Sequence, residues 1–153
     1  ERATYKLNSK ELKDGVRFLK IASLLQFTLP GISCIYYGDE AGVEGFEDPF
    51  NRQCFPWGKE NKEILSHYKT LSTLRKNPLF AEGKYNCLLH DNGVFAFERY
   101  DDNNKILIAI NMSNKTITLN FKESMKQYND SNTENSFNLS SEKYLLLYNS
   151  KKC

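Results

Sequence analysis

The spacing of hydrophobic positions along the chain changes near residue 78. Before that residue, apolar side chains recur every three or four positions, as in helices; after it they alternate with polar ones, as in strands. The pattern therefore predicts two domains. Residues 1–78 are expected to combine helices with one buried strand, and residues 79–153 to form an antiparallel β-sandwich.

A strongly apolar helix is predicted near the start of the chain. Residues 1–8 are polar and are expected to form a loop, after which Ser9 is a suitable N-cap. From Val16 to residue 29 the helix is apolar on nearly every side, and Pro30 and Gly31 end it. This pattern is typical of a helix that packs between neighbours rather than on a surface.

A short apolar stretch follows this helix directly. Residues 32–37 are apolar or aromatic and lie between two glycines, as expected for a strand covered on both faces. Cys34 within it is expected to be a small core residue. One buried strand cannot form a sheet alone, and no later stretch supplies parallel partners. The first domain is therefore predicted to be the tail of a larger α/β barrel, whose earlier strands lie upstream.

A second helix is predicted from residue 61 to residue 76. Asn61 can cap its start, and Pro78 lies just beyond its end. Its apolar side chains recur at helical spacing and are expected to be core residues. They are Ile64, Tyr68, Leu71 and Leu74.

The remainder of the chain is predicted to form strands joined by short turns. Asn92 and Gly93 favour a hairpin, because both residues tolerate positive φ. Residues 130–141 are polar and rich in Asn and Ser, and are expected to form a loose loop. The predicted strands are 85–89, 94–100, 105–111, 117–121 and 144–148; their aromatic residues, Tyr85, Phe95, Phe97 and Tyr100, are expected to be core or cross-strand pairs.

Composition excludes several classes of function. The 21 basic and 19 acidic residues give a net charge of +2 with no basic face, so nucleic acid is not an expected partner. No apolar run is long enough to cross a membrane. The two histidines and four cysteines lack the spacing of a zinc site, and we expect neither a metal nor a cofactor. Free thiols, and with them a reducing, cytoplasmic compartment, are favoured, although the location itself is left open.

Acidic residues follow the predicted buried strand. Asp39 and Glu40 lie at its C-terminal end, where α/β barrels place their working residues. The next loop adds Asp48, Arg52 and Trp57. Charged groups can hydrogen-bond to sugar hydroxyls, and aromatic planes accommodate the apolar faces of sugar rings. The stretch therefore contains the side chains needed for a carbohydrate-binding cleft.

This stretch resembles a known enzyme family. Residues 31–40, which read Gly-Ile-Ser-Cys-Ile-Tyr-Tyr-Gly-Asp-Glu, resemble the last barrel strand of the alpha-amylase family of glycoside hydrolases. Residues 48–52 and 55–57 resemble the loop after that strand in the neopullulanase and cyclomaltodextrinase branch. The family carries a small antiparallel domain directly after its barrel. The resemblance therefore implies that the chain is the C-terminal portion of such a hydrolase, with the last helix, strand and helix of a (β/α)8 barrel in residues 1–78 and the antiparallel sandwich in residues 79–153.

The resemblance implies an activity for which this chain lacks the catalytic groups. The family cleaves α-glucosidic bonds with retention, using carboxylates that come from earlier barrel strands. No motif resembling the family's Asn-His-Asp occurs here, so no catalytic residue is assigned and the isolated chain is expected to be inactive. The intact enzyme is expected to act on α-glucan oligosaccharides from starch, pullulan or maltodextrin, with α-1,4 and α-1,6 bonds both open.

The candidate residues of the cleft each have a second role open to them. Tyr37, Asp39 and Glu40 can shape the cleft floor and position neighbouring groups, and Glu40 can instead pair with a barrel arginine. Asp48 and Arg52 can contact sugar hydroxyls or bridge each other, and the bridge is favoured. Trp57 can stack on a glucose ring or pack against the barrel. The full set of candidate substrate-binding residues is Tyr37, Asp39, Glu40, Asp48, Arg52 and Trp57.

The alternative function is that of a non-catalytic carbohydrate-binding or structural β-sandwich module. The stretch from Gly31 to Trp57 favours the enzyme, because a simple binding module has no use for a buried parallel strand and an apolar helix in front of it. The isolated chain would expose apolar barrel surfaces, so self-association is a further expectation.

Overall fold

A computed structural model describes residues 6–45, 48–128, 130 and 132–150 of the chain. The chain divides into two compact units, Glu1–Leu74 and Arg75–Cys153. Of the predicted N-terminal loop, residues 1–5 lie outside the described residues, and residues 6–8 have no regular secondary structure.

The first helix, α1, spans Ser9–Thr28, and its N-cap is Asn8 rather than the predicted Ser9. The Asn8 side chain accepts hydrogen bonds from the backbone N–H groups of Lys10 and Glu11, and the Glu11 carboxylate accepts one from the Asn8 N–H at 2.9 Å. This reciprocal arrangement is a capping box, which satisfies N–H groups that have no partner within the helix. The prediction failed by one residue because both Asn8 and Ser9 are good capping residues.

Burial of α1 is one-sided, and the prediction that it packs on all sides is wrong for the structure of this chain. Ile21, Leu24 and Phe27 are buried, whereas Phe18 is 45% exposed and Leu12 is 37% exposed. The residues described in this unit provide a packing partner for one face only. The apolar residues of the other face therefore remain in contact with solvent.

The predicted buried strand at residues 32–37 is also wrong for this structure. These residues form no strand, and Ile32 is 96% exposed. Cys34, which we expected in the core, is an exposed free thiol. A strand exists only when a neighbour accepts and donates its backbone hydrogen bonds. Among the described residues no strand lies in the first unit, so residues 32–36 have no regular secondary structure and Tyr37 lies in a turn.

The second helix, α2, spans Lys62–Arg75 and agrees with the prediction. The Asn61 side chain accepts hydrogen bonds from the N–H groups of Glu63 at 3.0 Å and Ile64 at 3.2 Å, so Asn61 caps the helix as expected. The whole predicted apolar stripe is buried: Ile64, Tyr68, Leu71 and Leu74 are each at most 4% exposed.

Contacts between α1 and α2 hold the first unit together. The rings of Phe27 and Tyr68 meet edge to face with centroids 6.1 Å apart. The Ser23 hydroxyl lies 2.9 Å from His67 Nε2, and both residues are buried. Lys20 Nζ donates to the Glu63 carboxylate at 2.6 Å at the edge of this interface.

The second unit is an antiparallel sheet with the strand order β1-β2-β3-β6-β4-β5. A short 3₁₀ helix, Pro78–Phe80, precedes it. Strands β1, β2 and β3 form a meander, and the last strand of the chain, β6, lies between β3 and β4. The strands are Lys84–Asp91 (β1), Val94–Tyr100 (β2), Asn104–Asn111 (β3), Ile117–Gln127 (β4), Thr133–Leu139 (β5) and Lys143–Ser150 (β6).

Strand β5 corrects the sequence analysis, which predicted a loose loop over residues 130–141. Thr133–Leu139 pairs with β4, for example Phe137 with Leu119. Only Phe137 and Leu139 of this strand are buried. The other positions of this strand are polar and exposed, so apolar and polar residues alternate only over its last residues. The sequence pattern therefore did not predict the strand.

The sheet is continuous in its hydrogen bonds but packs as two layers. Strand β4 joins β6 only through Lys126 and Gln127, and its pairing with β5 is irregular between Asn120 and Met125. The ribbon of β4 and β5 thereby covers one face of β2, β3 and β6. The core between the layers contains Ala96, Leu107, Ala109, Met125, Phe137, Leu139, Leu145 and Leu147.

A buried asparagine ties the two layers together at one end. Asn111, the last residue of β3, is fully buried, and its Nδ2 donates to the carbonyl oxygens of Lys115 at 2.7 Å and Leu139 at 2.9 Å. Its Oδ1 accepts from the N–H and the hydroxyl of Ser113. The amide therefore fills its hydrogen-bonding capacity and links β3, the following turn and β5.

The opposite face of the sheet is buried as well. Phe97, Ile108 and Leu146 lie side by side on β2, β3 and β6. Arg99 on this face donates from Nη2 to the carbonyl oxygens of Phe80 at 3.3 Å and Gly83 at 2.9 Å. The 3₁₀ helix before the sheet is thus held against β2. The predicted core role of Phe97 is confirmed, and it contacts the rings of Tyr85 and Phe95.

Candidate functional site

The loop that contains the candidate residues begins with a tight, internally bonded turn. Gly38 has a φ of 95°, and a short 3₁₀ helix, Asp39–Ala41, follows it. The Gly38 N–H donates to the Glu40 carboxylate at 2.9 Å, while the Gly38 carbonyl accepts from Val43 at 2.9 Å. A side chain at Gly38 would meet Val43 and would be strained at this φ. The turn fixes where Asp39 and Glu40 lie.

Asp39 and Glu40 are half-buried neighbours with different surroundings. Burial, and secondarily the charge of Glu40, raises the pKa of Asp39 above its ordinary value. Glu40 is engaged by the Gly38 N–H. Burial, together with the charge of Asp39, also raises the pKa of Tyr68. The pair is thus an acidic site at the start of the loop.

Asp48 and Arg52 form the bridge that the sequence analysis favoured. Arg52 Nε lies 2.6 Å from Asp48 Oδ1, four residues earlier. Both side chains are more than half exposed, so the bridge contributes little to stability. The Arg52 N–H also donates to the Pro49 carbonyl at 3.1 Å, which closes a turn between the paired residues. The remaining guanidinium N–H groups face solvent-accessible space in which they can meet a ligand.

Tyr37 is linked to the loop by a series of hydrogen bonds that the sequence did not indicate. Its hydroxyl donates to the Gln53 carbonyl at 3.1 Å, and Gln53 Nε2 donates to the Glu44 carbonyl at 2.7 Å. The Glu44 carboxylate in turn accepts from the Leu7 N–H at 2.9 Å. Gln53 and Glu44 therefore position the loop. No local sequence signal marks them, because their partners are backbone groups distant in sequence.

Trp57 is 82% exposed in this chain, and its two predicted roles, stacking on a glucose ring and packing against the barrel, both stay predictions. Its ring lies against Phe55, with centroids 4.6 Å apart at an interplanar angle of 49°. Tyr36 and Tyr37 form a similar exposed pair, with centroids 5.1 Å apart. The loop thus carries exposed aromatic rings in the same stretch of sequence as its carboxylates and its arginine.

The structure places all the candidate residues in the first unit but connects them unequally. Asp39 and Glu40 share one turn, and Asp48 and Arg52 share one ion pair. Within the described ranges no hydrogen bond links the acidic turn to that ion pair. The site is therefore a set of neighbouring groups on one loop, with Tyr37 bonded to the same loop through Gln53.

The described part of the chain contains neither a candidate metal-binding cluster nor a candidate membrane-spanning helix. In that part of the chain, no group of three or more His, Cys, Asp or Glu side chains is arranged to hold a metal ion. No helix within it has the length and apolar character of a membrane span. Cys34, Cys54 and Cys87 are free thiols, and Cys153 lies outside the described residues.

The fold of the second unit defines its class. It is an all-β domain whose last strand lies in the middle of the sheet, and an α-helical unit with an acidic and aromatic loop precedes it in the chain. Residues 85–148, which cover most of this sheet, match the family described as "Alpha amylase, C-terminal all-beta domain". The similarity to the alpha-amylase family that the sequence analysis proposed is confirmed.

Relatives and solved structures agree with this family. The chain is 41% identical over 100 residues to the amylopullulanase of Thermoanaerobacter thermohydrosulfuricus, covering 64% of this chain and 7% of the relative. It is 40% identical over 105 residues to the cyclomaltodextrinase of Geobacillus thermopakistaniensis, covering 65% and 18%. The crystal structure of an Anoxybacillus alpha-amylase matches 99% of this chain and 37% of that chain, with a TM-score of 0.79 and 25% identity. The chain therefore spans a small fraction of the length of these relatives.

Proposed function

We propose that this chain is the C-terminal portion of a retaining α-glucan hydrolase that acts on starch, pullulan or maltodextrin. The observation that carries the proposal is the match to an alpha-amylase structure over 99% of the chain. A separate carbohydrate-binding sandwich would account for a match to the sheet, but not for one that also includes the helices and the acidic loop. The names of the relatives, amylopullulanase and cyclomaltodextrinase, support the same substrate class.

The proposed role of the first unit is to supply part of the substrate cleft. Trp57 and Tyr37 offer exposed ring faces for glucose units, and Arg52 offers N–H groups for their hydroxyls. Asp39 and Glu40 supply acceptors at the start of the same loop. In this proposal the ion pair of Asp48 and Arg52 orients the guanidinium, and the turn at Gly38 orients the acids.

The proposed activity requires groups beyond those assigned to this chain. Retaining hydrolysis uses two carboxyl groups about 5–5.5 Å apart on opposite sides of the scissile bond, one as nucleophile and one as acid and base. Glu40 is instead bonded to the backbone of its own turn. We assign no catalytic residue here, and we expect this chain by itself to release no reducing sugar from starch or pullulan.

The first experiment is to sequence the gene upstream of the codon for Glu1. Codons for a barrel whose strands end in an Asp, a Glu and a His-Asp pair would support the proposal. An unrelated domain directly upstream would overturn it and would leave a non-catalytic module as the better account.

The loop itself can be tested in the intact enzyme with the variants Trp57→Ala and Trp57→Phe. If Trp57 stacks on glucose, the alanine variant should raise KM for maltotriose by about tenfold, as expected for the loss of about 1.4 kcal/mol of binding. The phenylalanine variant, which keeps a ring, should retain most of the affinity. An unchanged KM in both variants would remove Trp57 from the binding site.

A further inference from the structure

A second cleft lies on the sheet domain, away from the acidic loop in sequence. Its volume is about 560 Å³, within the range of pockets that hold small molecules. Its floor is the cross-strand pair of Ile106 on β3 and Tyr148 on β6. One wall is the segment 77–79, and the other contains Tyr128 and Asp130 from the turn after β4.

Strand pairing explains why two tyrosines meet at this cleft. Lys126 on β4 is paired with Tyr148, and the Tyr128 N–H donates to the Leu146 carbonyl at 2.8 Å. Side chains two residues apart on a strand point to the same face, and so do directly paired ones. Tyr128 and Tyr148 therefore lie on one face of the sheet. Among the described residues, neither tyrosine hydroxyl has a hydrogen-bond partner.

The polar residues around the cleft are held in place by bonds of their own. Asp101 Oδ1 accepts from the N–H groups of Asn103 at 2.8 Å and Asn104 at 2.6 Å. Asp130 Oδ1 accepts from the Asn132 N–H at 3.0 Å, and within the described ranges its other oxygen has no partner. The rim is thus preorganised, and an arriving ligand does not have to order it.

Charge around the cleft disfavours an anionic ligand. The Lys105 ammonium, the one cation among the cleft's lining residues, lies 3.0 Å from the Glu123 carboxylate. Asp101 and Asp130 add negative charge on the rim. A phosphate or carboxylate ligand would be repelled, and in the described part of the chain no cluster of acids is arranged to hold a metal. A neutral ligand with hydroxyl groups and apolar ring faces fits the lining.

We propose that this cleft is a non-catalytic binding site for a short neutral oligosaccharide, two or three glucose units of an α-glucan. Tyr128 and Tyr148 provide ring surface against which a pyranose can pack, and Leu79 and Ile106 add apolar lining. Asp130, Asn149 and the two tyrosine hydroxyls provide partners for sugar hydroxyls. The choice of an α-linked glucan rests on the proposed function, whereas the choice of a neutral sugar rests on the cleft itself.

The test is a titration of the full chain with maltotriose, followed by the NMR amide shifts of the sheet. We expect saturable shifts at residues around Tyr128, Tyr148 and Asn149, with a Kd of about 1 mM. Tyr128→Ala should weaken binding by about tenfold, and Tyr128→Phe, which keeps the ring, by no more than about threefold. Tyr85→Ala is the matched control, because Tyr85 is a partly exposed tyrosine on β1 that does not line the cleft.

Each outcome of this titration decides the proposal. Tyr128 lies after β4, so Tyr128→Ala should leave the far-UV circular dichroism of the chain unchanged. Tyr148 lies within β6 and is therefore less suited to this test. An absence of shifts at millimolar maltotriose overturns the cleft proposal. So does binding that Trp57→Ala abolishes while Tyr128→Ala leaves it unchanged, since the ligand then sits on the loop of the first unit. Binding of β-linked cellobiose without maltotriose also overturns it.

Failure here is distinguishable from failure of the proposed function. The hydrolase proposal depends on what the gene encodes upstream of Glu1 and is not affected by an empty cleft. Conversely, an unrelated domain upstream, together with saturable maltotriose binding at Tyr128, would leave the cleft as an α-glucan site of a non-catalytic module.

Discussion

The replacement Asn111→Asp tests whether one buried amide holds the two layers of the sheet together. The substitution keeps the size of the side chain but removes both N–H donors. The carbonyls of Lys115 and Leu139, now bonded at 2.7 and 2.9 Å, would instead face a carboxyl oxygen. The Oδ1 contacts to Ser113 can persist. The change therefore isolates the link from β3 to the turn and to β5.

The expected loss follows from these contacts. Two hydrogen bonds contribute about 1 kcal/mol each, and leaving a buried carbonyl without a partner costs a further ~1–3 kcal/mol. We expect the free energy of unfolding to fall by about 3 kcal/mol at neutral pH. For a unit of this size, that corresponds to a decrease in Tm of more than about 10 °C. The loss is a large share of the ~5–15 kcal/mol that stabilises a typical domain.

The pH dependence of this variant gives a second signature. Burial in an uncharged site raises the pKa of the introduced carboxyl above its unfolded value of about 4. Below that value it is protonated in both states and can donate one of the lost bonds. As pH rises, the carboxyl ionises in the unfolded state before it does so in the folded state. The free energy of unfolding lost in the variant should therefore grow from about pH 4 upward.

The assay is urea unfolding of the full chain, followed by far-UV circular dichroism and by exchange of the β3 amides. Asn114→Asp is the control, because Asn114 lies in the same turn, is exposed, and its side chain has no hydrogen-bond partner among the described residues. If the two variants unfold within about 0.5 kcal/mol of each other at pH 7, Asn111 does not link the layers as we argue.

Three further predictions concern other positions. Burial, and secondarily the charge of Lys20, lowers the pKa of His67 to about 4. The free energy of unfolding of the first unit should therefore fall by up to about 3 kcal/mol as pH falls from 6.5 to 4. An NMR titration of the imidazole checks the midpoint, and His67→Gln should remove this contribution to the pH dependence of stability. Asn8→Ala removes the capping box and should cost about 1 kcal/mol in urea unfolding, whereas an unchanged midpoint would show that α1 does not depend on its cap. Gly83→Ala places a Cβ against the Leu79 backbone and should destabilise the sheet unit by about 1–3 kcal/mol; a neutral result would show that this turn relaxes freely.

The parts of the fold that the sequence predicted correctly depend on local signals. The hairpin at Asn92 and Gly93 formed as expected, with φ values of 50° and 78°. The stripe of α2 was correct because helix spacing alone decides which side chains share a face. The ion pair of Asp48 and Arg52, four residues apart, is likewise a short-range feature.

The features that the sequence did not reveal depend on distant parts of the chain. Asn111 was correctly predicted to lie in a strand, but it links the two layers through the carbonyl of Leu139, 28 residues later. The sequence pattern does not identify this partner. Tyr128 and Tyr148 meet because β6 inserts between β3 and β4, which a list of strands cannot reveal. The hydrogen bonds that join Gln53 and Glu44 to the rest of the first unit involve backbone carbonyl and N–H groups of residues distant in sequence. A pattern of side-chain types does not show such bonds.

The two units differ in how completely their apolar residues are buried, and this difference bears on the proposed function. The sheet unit buries both faces of its central strands: Phe97, Ile108 and Leu147 have no exposed surface. In the first unit, by contrast, Ile32 is almost fully exposed and Phe18 is 45% exposed. Exposed apolar side chains that lie together mark contact sites. Ile32 lies in the stretch whose sequence predicts a strand covered on both faces, and Phe18 lies in the helix whose sequence predicts packing on nearly every side. Both exposures agree with the proposed barrel, in which neighbouring strands would pair with residues 32–37 and further elements would cover α1.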